Sequence, residues 1–460
     1  MTTPPEPLLP TTGRALLHRL ARAQSEGRAP SVAAAVVRDG ETVWQGARSC
    51  VPDHAPDGNV QFRIGSITKT FTAVLVLRLR NEGVLALDDP LERHLPGTGA
   101  GGVTIRQLLS HTAGLASESP GPWWERTPGA LRPTLADVLG ERPFRHAPGA
   151  RFHYSNPGFS ALGSLVEKLR GAPWEDVLRR EVLEPLGLRR TGLEPEAPHA
   201  GGWAVHPWAD VMLPEPLEDL GVMAPAGALW STTGDLARFA AFLAAGDERV
   251  LDADSVREMR TPAAPSEGSG VVDGYAYGFG MEVFGRGDRL LVGHTGSLPG
   301  FRASLTLDVD EGLASVVLGN CTSGLAVSAL AADLVSLVRD AEPRIPEPWR
   351  PAGEVDPAVL ELAGPWYWGT LAYVLRVRAD GMLSLEALGP GRASRFEAAA
   401  DGTWTGLDGY FAGEVLRAER RPDGRLSHLD LGSFTFTREP YDPGAPVPGG
   451  VDPQGWRGLP

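Results

Sequence analysis

Cysteine is nearly missing: Cys50 and Cys321 are the whole complement of a 460-residue chain. That excludes a disulfide framework and a cysteine-built zinc site, and either thiol suits a small buried hydrophobe. Ten histidines occur but no H-E-x-x-H, so neither a catalytic metal nor another cofactor is expected. No Lys/Arg block is present, and 57 acidic against 43 basic side chains leave a formal charge of −14. A polyanion is repelled on average, so nucleic acid is not expected as a partner. The opening MTTPPEPLLPTTGR has no basic stretch followed by an apolar one; no Sec-type signal is read, and the expected location is the cytoplasm. A membrane span is not expected either. Residues 312–332 carry no charge, but Gly319, Asn320, Thr322, Ser323 and Gly324 interrupt them, which reads as strand, turn and amphipathic helix.

What is abundant is glycine and proline, 57 and 41 residues, which implies many turns and loops. Apolar residues at 42% and charged residues at 22% are ordinary for a soluble globular protein, and the length allows two or three domains. No internal repeat is evident.

Residues 12–26 have helical spacing of Leu and Ala. In 31–46 two apolar runs meet at Asp39-Gly40, a strong hairpin signal. From about 66 to 260 the pattern is mostly helical. Residues 274–284, 289–292, 303–308 and 313–318 then read as strands, and 325–340 as a helix. Strands at both ends of a helical insertion predict an α+β domain over residues 1–345, an antiparallel sheet flanked by helices. The stretch 341–357 holds five prolines, with 346–357 read as a linker. Eight short β-like runs follow within 358–440, at 366–369, 372–378, 383–387, 395–398, 403–405, 414–417, 426–431 and 434–437. Asp-Gly pairs at 380, 401, 408 and 423 fall between runs, which predicts a small closed all-β barrel, with an open meander as the alternative. Residues 441–460 read as an extended tail.

The chemistry centres on residues 62–90. Ser66-Ile67-Thr68-Lys69 opens an apolar helix, and i to i+3 spacing puts Ser66 and Lys69 on one face. Free backbone N–H groups and the positive dipole end favour developing negative charge there. A hydroxyl needs a base to become a nucleophile, and a crowded Lys can lose its proton and serve as one. Alone, the tetrad also suits a Ser in a first helical turn with its Lys in solvent. Tyr154-Ser155-Asn156 follows a Pro-Gly turn and precedes a helical run. Tyr can relay a proton or act as phenolate, and Asn offers a donor and an acceptor to a substrate amide. His294-Thr295-Gly296 reads as lying directly after a strand, and Gly296 allows close approach of another backbone. His111 and His146 read as structural.

The order S-x-x-K, Y-x-N, H-T-G resembles the serine β-lactamase and penicillin-binding-protein superfamily, in its class C-like branch, over about residues 12–340. LLSHTAGL (108–115) and PAGALWSTTGDLARFAAFL (225–243) support it. The resemblance implies Ser66 as the acylated nucleophile, Lys69 and Tyr154 sharing acid and base duty, and Asn156 on the substrate amide. It implies an oxyanion hole from the N–H groups of Ser66 and Ser297. Many β-lactamases have Lys where His294 stands, so efficient β-lactamase activity is not expected. Trp230, in the GALWST turn, is read as bordering the pocket, within a set of Trp-bearing loops (Trp123, Trp124, Trp203, Trp208) able to form a lid. Arg438, at the end of the last strand, is a candidate for binding a carboxylate or phosphate.

The overall plan, with a lipocalin-like barrel after the first domain, resembles the penicillin-binding-protein-type thioesterases. That implies a peptidyl thioester substrate, a carrier protein as partner and release as a macrolactam. Cytosolic esterase, acyltransferase and D-amino-acid peptidase or amidase are alternatives. A catalytically inactive ligand-binding module is an alternative of another class.

Overall fold

The computed structural model describes residues 8–450, apart from 53, 129–130, 266–273, 288, 347, 443 and 449. The chain divides into two units, 1–344 and 345–460. Of the tail read at 441–460, residues 451–460 lie outside the described ones.

The first unit begins with α1 (Pro10–Glu26), then a hairpin of β1 (Ser31–Arg38) and β2 (Glu41–Ser49) turning at Asp39-Gly40. The helical insertion contains α2 (Thr68–Asn81), α3 (Asn156–Arg170) and α4 (Thr233–Ala245). The chain then returns through β3 (Ala264–Pro265), β4 (Tyr275–Tyr277), β5 (Glu282–Arg286), β6 (Arg289–Leu298), β7 (Phe301–Asp308) and β8 (Leu313–Gly319) to α5 (Val327–Ala341). The sheet runs β2-β1-β8-β7-β6-β5-β4-β3, antiparallel throughout. Both its faces are covered, so β1 is an unbroken apolar run. Period-two alternation divides that run. Val32, Ala34 and Val36 pack with α1 and α5, while Ala33 and Val37 join the larger core that holds α2 and α4.

Two strand readings change. The run at 274–284 splits into β4 and β5, because residues 278–281 make a tight turn in which Gly278 N–H reaches Met281 O at 2.9 Å. The strand read at 289–292 continues to Leu298, so His294-Thr295-Gly296 lies inside β6 and not after it. Glycines 293 and 296 hide the strand pattern, and pairing with β7 from Val292 to Leu298 imposes it.

The helix α2 is buried on all sides. Its three buried threonines are all bonded: Thr70 Oγ1 donates to Gly280 O (2.7 Å), Thr72 Oγ1 to Pro225 O (2.8 Å), and Thr68 Oγ1 accepts from Leu229 N–H (3.2 Å). Hydroxyls so engaged keep a buried helix free of unsatisfied groups and tie it on two sides.

The second unit is a meander of eight antiparallel strands, β9 (Gly364–Trp368), β10 (Leu371–Val377), β11 (Leu383–Ala387), β12 (Ala393–Ala398), β13 (Trp404–Gly406), β14 (Val415–Arg420), β15 (Leu426–Leu431) and β16 (Phe434–Phe436). Tyr367 and Thr437 exchange two backbone hydrogen bonds of 2.8 and 2.9 Å, which close first strand onto last. The closed, lipocalin-like barrel replaces the open-meander alternative. Its inward side chains, among them Trp366, Phe396, Leu416, Leu431 and Phe436, form one packed core. Of the four Asp-Gly pairs, Asp408-Gly409 is not a hairpin turn: it leads into a short helical turn, Gly409–Phe411.

Arg438 has a different role from the one read from sequence. Its guanidinium donates to the carbonyls of Ala363 and Pro365 (3.1 Å each) and of Glu361, and lies 4.0 Å over the Trp366 ring. A fork so engaged has little left for a ligand; it clamps the chain entering β9 to the end of β16. Arg438→Ala is expected to destabilise the barrel by about 2–3 kcal/mol, through lost charged hydrogen bonds and ring stacking. Chemical unfolding of the full chain checks this. An unchanged midpoint together with a raised KM for acidic substrates restores the ligand role.

Candidate active site

Ser66 sits in the single 3-10 turn Gly65–Ile67 that leads into α2, and Lys69 in the first turn of that helix. Lys69 is fully buried. Its Nζ lies 2.9 Å from Ser66 Oγ, 2.7 Å from Asn156 Oδ1 and 2.6 Å from Ala226 O. The three partners serve either protonation state. An ammonium donates to all three; a neutral amine donates to Asn156 and Ala226 and turns its lone pair to the Ser66 hydroxyl. Burial pushes the Lys69 pKa down to about 7, against the opposing pull of Glu118, Glu125 and Glu282. An amine so poised can take the Ser66 proton near neutrality.

Tyr154 lines the cleft beside Ser66, and its ring lies 4.8 Å from Lys69 Nζ. Burial raises the phenol well above its ordinary pKa, and its interaction with Ser66 only partly offsets that. Tyr154 therefore keeps its proton, which makes it a donor, while Lys69 is the acceptor. Asn156 opens α3, with Ser155 as the N-cap. Both ends of the Asn156 amide are engaged: Oδ1 accepts from Lys69, and Nδ2 donates to Glu118 Oε1 at 2.8 Å. Trp124 Nε1 in turn donates to Glu118 Oε2 at 2.7 Å.

His111 is buried and holds the chain on both sides of Tyr154. Its carbonyl accepts from His153 N–H (2.8 Å), its Nδ1 accepts from Ser155 N–H (3.0 Å), and its ring lies 4.2 Å from the Tyr154 ring. An accepting Nδ1 puts the proton of the neutral ring on Nε2. The residue itself adopts φ 56°, a left-handed conformation that disfavours most side chains. In the residues alone, the cue to this clamp is a His within LLSHTAGL that reads as structural.

Along the third wall, two glycines let β6 touch the nucleophile turn. A Cβ on Gly296 would stand 1.9 Å from Ile64 O, and one on Gly65, whose φ is +52°, 2.5 Å from Ser297 N. That contact brings the Ser297 N–H beside the turn carrying Ser66. Pairing of β6 with β5 stops at Gly293, so residues 294–298 have no strand partner on that side among the described residues. His294 is buried within β6. Its Nδ1–H donates to Thr295 O (2.6 Å), and its Nε2 accepts from Tyr277 O–H (2.8 Å). Burial lowers its pKa, against the pull of Glu282, so the ring is neutral and both nitrogens are engaged. Thr295 Oγ1 donates to Glu282 Oε1 at 2.8 Å.

Ser66, Tyr154, His294, Thr295, Gly296 and Ser297 all line one cleft of about 730 Å³. Trp230 does not. It is 0% exposed, packed in the core against Phe301 at 5.2 Å and under the Arg63 guanidinium. Its place in the two-residue strand Trp230–Ser231, paired with Phe62–Arg63, turns the ring inward behind the nucleophile turn. Nor are Trp123, Trp124, Trp203 and Trp208 among the lining residues, and Trp208 is almost wholly exposed.

The sheet with its helical insertion, and a Ser–Lys–Tyr cluster opening into a cleft, define a serine hydrolase. The chain belongs to the Beta-lactamase family, whose model matches residues 17–340. Residues 355–438 match a Domain of unknown function (DUF7586). Penicillin-binding protein 4 of Amycolatopsis lactamdurans is 29% identical over 328 residues, 66% of this chain and 84% of that protein. The D-stereospecific amidohydrolase from a Streptomyces species superposes at TM-score 0.60 and 26% identity, over 70% of this chain and 98% of its own. SurE with bound D-Leu superposes at TM-score 0.56 and 25% identity, over 93% of this chain and all of its own. No described helix is long and apolar enough to cross a membrane.

The clamp gives a test by double-mutant cycle. His111→Ala is expected to lower kcat about tenfold or more, part of the roughly 10²–10⁴-fold that positioned proton transfer is worth. In a Tyr154→Phe background the same change is expected to cost under about threefold, since the group being positioned is gone. Equal losses in both backgrounds contradict the clamp. His111→Asn, which keeps an acceptor and tolerates the left-handed backbone, is expected to recover part of the loss.

Proposed function

We propose that this chain is a serine acyl-enzyme acyltransferase and hydrolase, working as a stand-alone thioesterase. It takes a peptidyl chain from a carrier-protein thioester and releases it by attack of the peptide's own N-terminal amine, as a macrolactam. The observation that carries the acyl-enzyme chemistry is the 2.9 Å approach of a buried Lys69 amine, with a pKa of about 7, to Ser66 Oγ in an open cleft. Likeness over 93% of the chain to SurE with bound D-Leu, and over 70% of it to a D-stereospecific amidohydrolase, supports a D-residue at the acyl terminus.

In this reading Lys69 accepts the Ser66 proton as Oγ bonds to the thioester carbon. The N–H groups of Ser66 and Ser297 receive the oxyanion, an arrangement worth a few kcal/mol. The C–S bond breaks and the thiol leaves with a proton passed through Tyr154. The acyl-enzyme then accepts the amine, which returns its proton along the same path as the Ser66 ester bond breaks. The unpaired stretch of β6 offers backbone groups to an extended peptide. A cleft of about 730 Å³ has room for a folded-back chain, and holding the two ends close supplies effective molarity against water. Simple hydrolysis of esters or D-peptides is the second reading, favoured by the openness of the same cleft to water. The packed barrel core argues against a module whose purpose is to hold a ligand there.

Three outcomes follow. Ser66→Ala is expected to abolish turnover and labelling by a fluorophosphonate probe while leaving the fold intact; full activity in a verified preparation contradicts the assignment. A peptidyl thioester with a free N-terminus and a C-terminal D-residue is expected to give mainly cyclic product; only linear acid across a varied peptide panel assigns the chain to the hydrolases. Below about pH 7 Lys69 is charged and cannot accept the Ser66 proton, so kcat/KM is expected to rise as pH passes through about 7. A flat profile from about pH 5 to 9 contradicts Lys69 as the base.

A further inference from the structure

Among the described residues, three charged side chains line the cleft: Glu282, Arg286 and Arg302. Glu282 accepts from Thr295, and Arg286 is ion-paired with Asp333. Arg302 is half-buried, and its side chain makes no hydrogen bond or ion pair with any described residue; its Nε is buried without an acceptor. That sets it apart from the other arginines whose buried Nε is unbonded. Arg38, Arg63, Arg78, Arg170 and Arg190 each place an Nη on a carbonyl or carboxylate. A guanidinium partly withdrawn from water is costly unless something supplies acceptors.

Register places it. Arg302 on β7 lies directly opposite Ser297 on β6. Directly opposed residues of an antiparallel pair project to the same face, so Arg302 stands on the face that carries Ser297 and Thr295. The first turn of α5 lines the same cleft and has no side-chain cap, so its N–H end adds positive potential there. His294 cannot serve as the anion anchor, being neutral with both nitrogens engaged.

We propose that Arg302 binds a carboxylate carried by the substrate, next to the carbonyl that Ser66 attacks. The planar fork of Nε and Nη matches the two oxygens of a carboxylate. A single charge fits better than a phosphate dianion, because Glu282 faces the same cleft and the chain is strongly acidic overall. Substrate selection for an acid thereby falls to β7, one strand away from the H-T-G segment. This assignment rests on the acyl-enzyme reading above.

The test uses the full chain and two series of thioesters. In one, the leaving thiol ends in a carboxylate, a carboxamide or a phosphate monoester. In the other, the acyl terminus is D-Glu or D-Gln. In the wild type, kcat/KM for the carboxylate is expected to exceed that for its neutral partner by about tenfold or more in one series, which identifies where the acid resides. In Arg302→Gln the ratio is expected to fall to about one, and in Arg302→Lys to an intermediate value. A wild-type ratio near one in both series overturns the proposal without recourse to any variant. So does a ratio that survives Arg302→Gln, or a preference for the phosphate. No turnover of any thioester, with no labelling of Ser66, instead overturns the acyl-enzyme reading itself, and this proposal with it.

Discussion

Everything at the site depends on keeping one amine out of water. Lys69 is useful only while its proton is loosely held, and three carboxylates in the neighbourhood, Glu118, Glu125 and Glu282, work to tighten that hold. Desolvation prevails because α2 is buried on all sides, with its threonines tied to the segments around it. The ordinary arrangement, a helix with one apolar stripe and one wet face, would leave the amine hydrated and charged. A helix buried on all sides is therefore a chemical requirement here as much as a packing solution.

The other walls answer to the same need. Asn156 and the Ala226 carbonyl accept from Lys69 in either protonation state, so no buried polar atom is stranded when the proton moves. Tyr154 is held beside the hydroxyl by a residue from a distant loop, and His294 is quenched by Tyr277 and by a backbone carbonyl. Positive charge is thus scarce on β6, which leaves the question of substrate charge to the neighbouring strand.

Much of this was legible in the residues, and the failures have physical causes. The S-x-x-K, Y-x-N and H-T-G segments do converge on one cleft, the first two at helix starts and the third within β6. The barrel strands were readable from short alternating runs between Asp-Gly pairs. The extent of β6 was not, since Gly293 and Gly296 carry no β-propensity and pairing with neighbouring strands, beyond Gly293 with β7, makes them a strand. Trp230 misled because a large aromatic in a turn next to a catalytic motif suits a pocket wall and a core equally well; burial is decided by pairing with Phe62–Arg63, far off in the chain. Arg438 misled in the same way, since no sequence pattern announces three carbonyls arriving from another segment. Arg302 was passed over for the converse reason: an arginine in a strand looks like an ordinary solvated face until its lack of partners is seen.

The closure of the second unit has a consequence for association. The two backbone bonds between Tyr367 and Thr437 join the first strand to the last, so that seam offers no row of free amides and carbonyls. Sheet extension by a neighbouring molecule, a common route to fibres and to strand exchange, is denied to this unit at its seam, and its rigidity does not have to come from a bound guest.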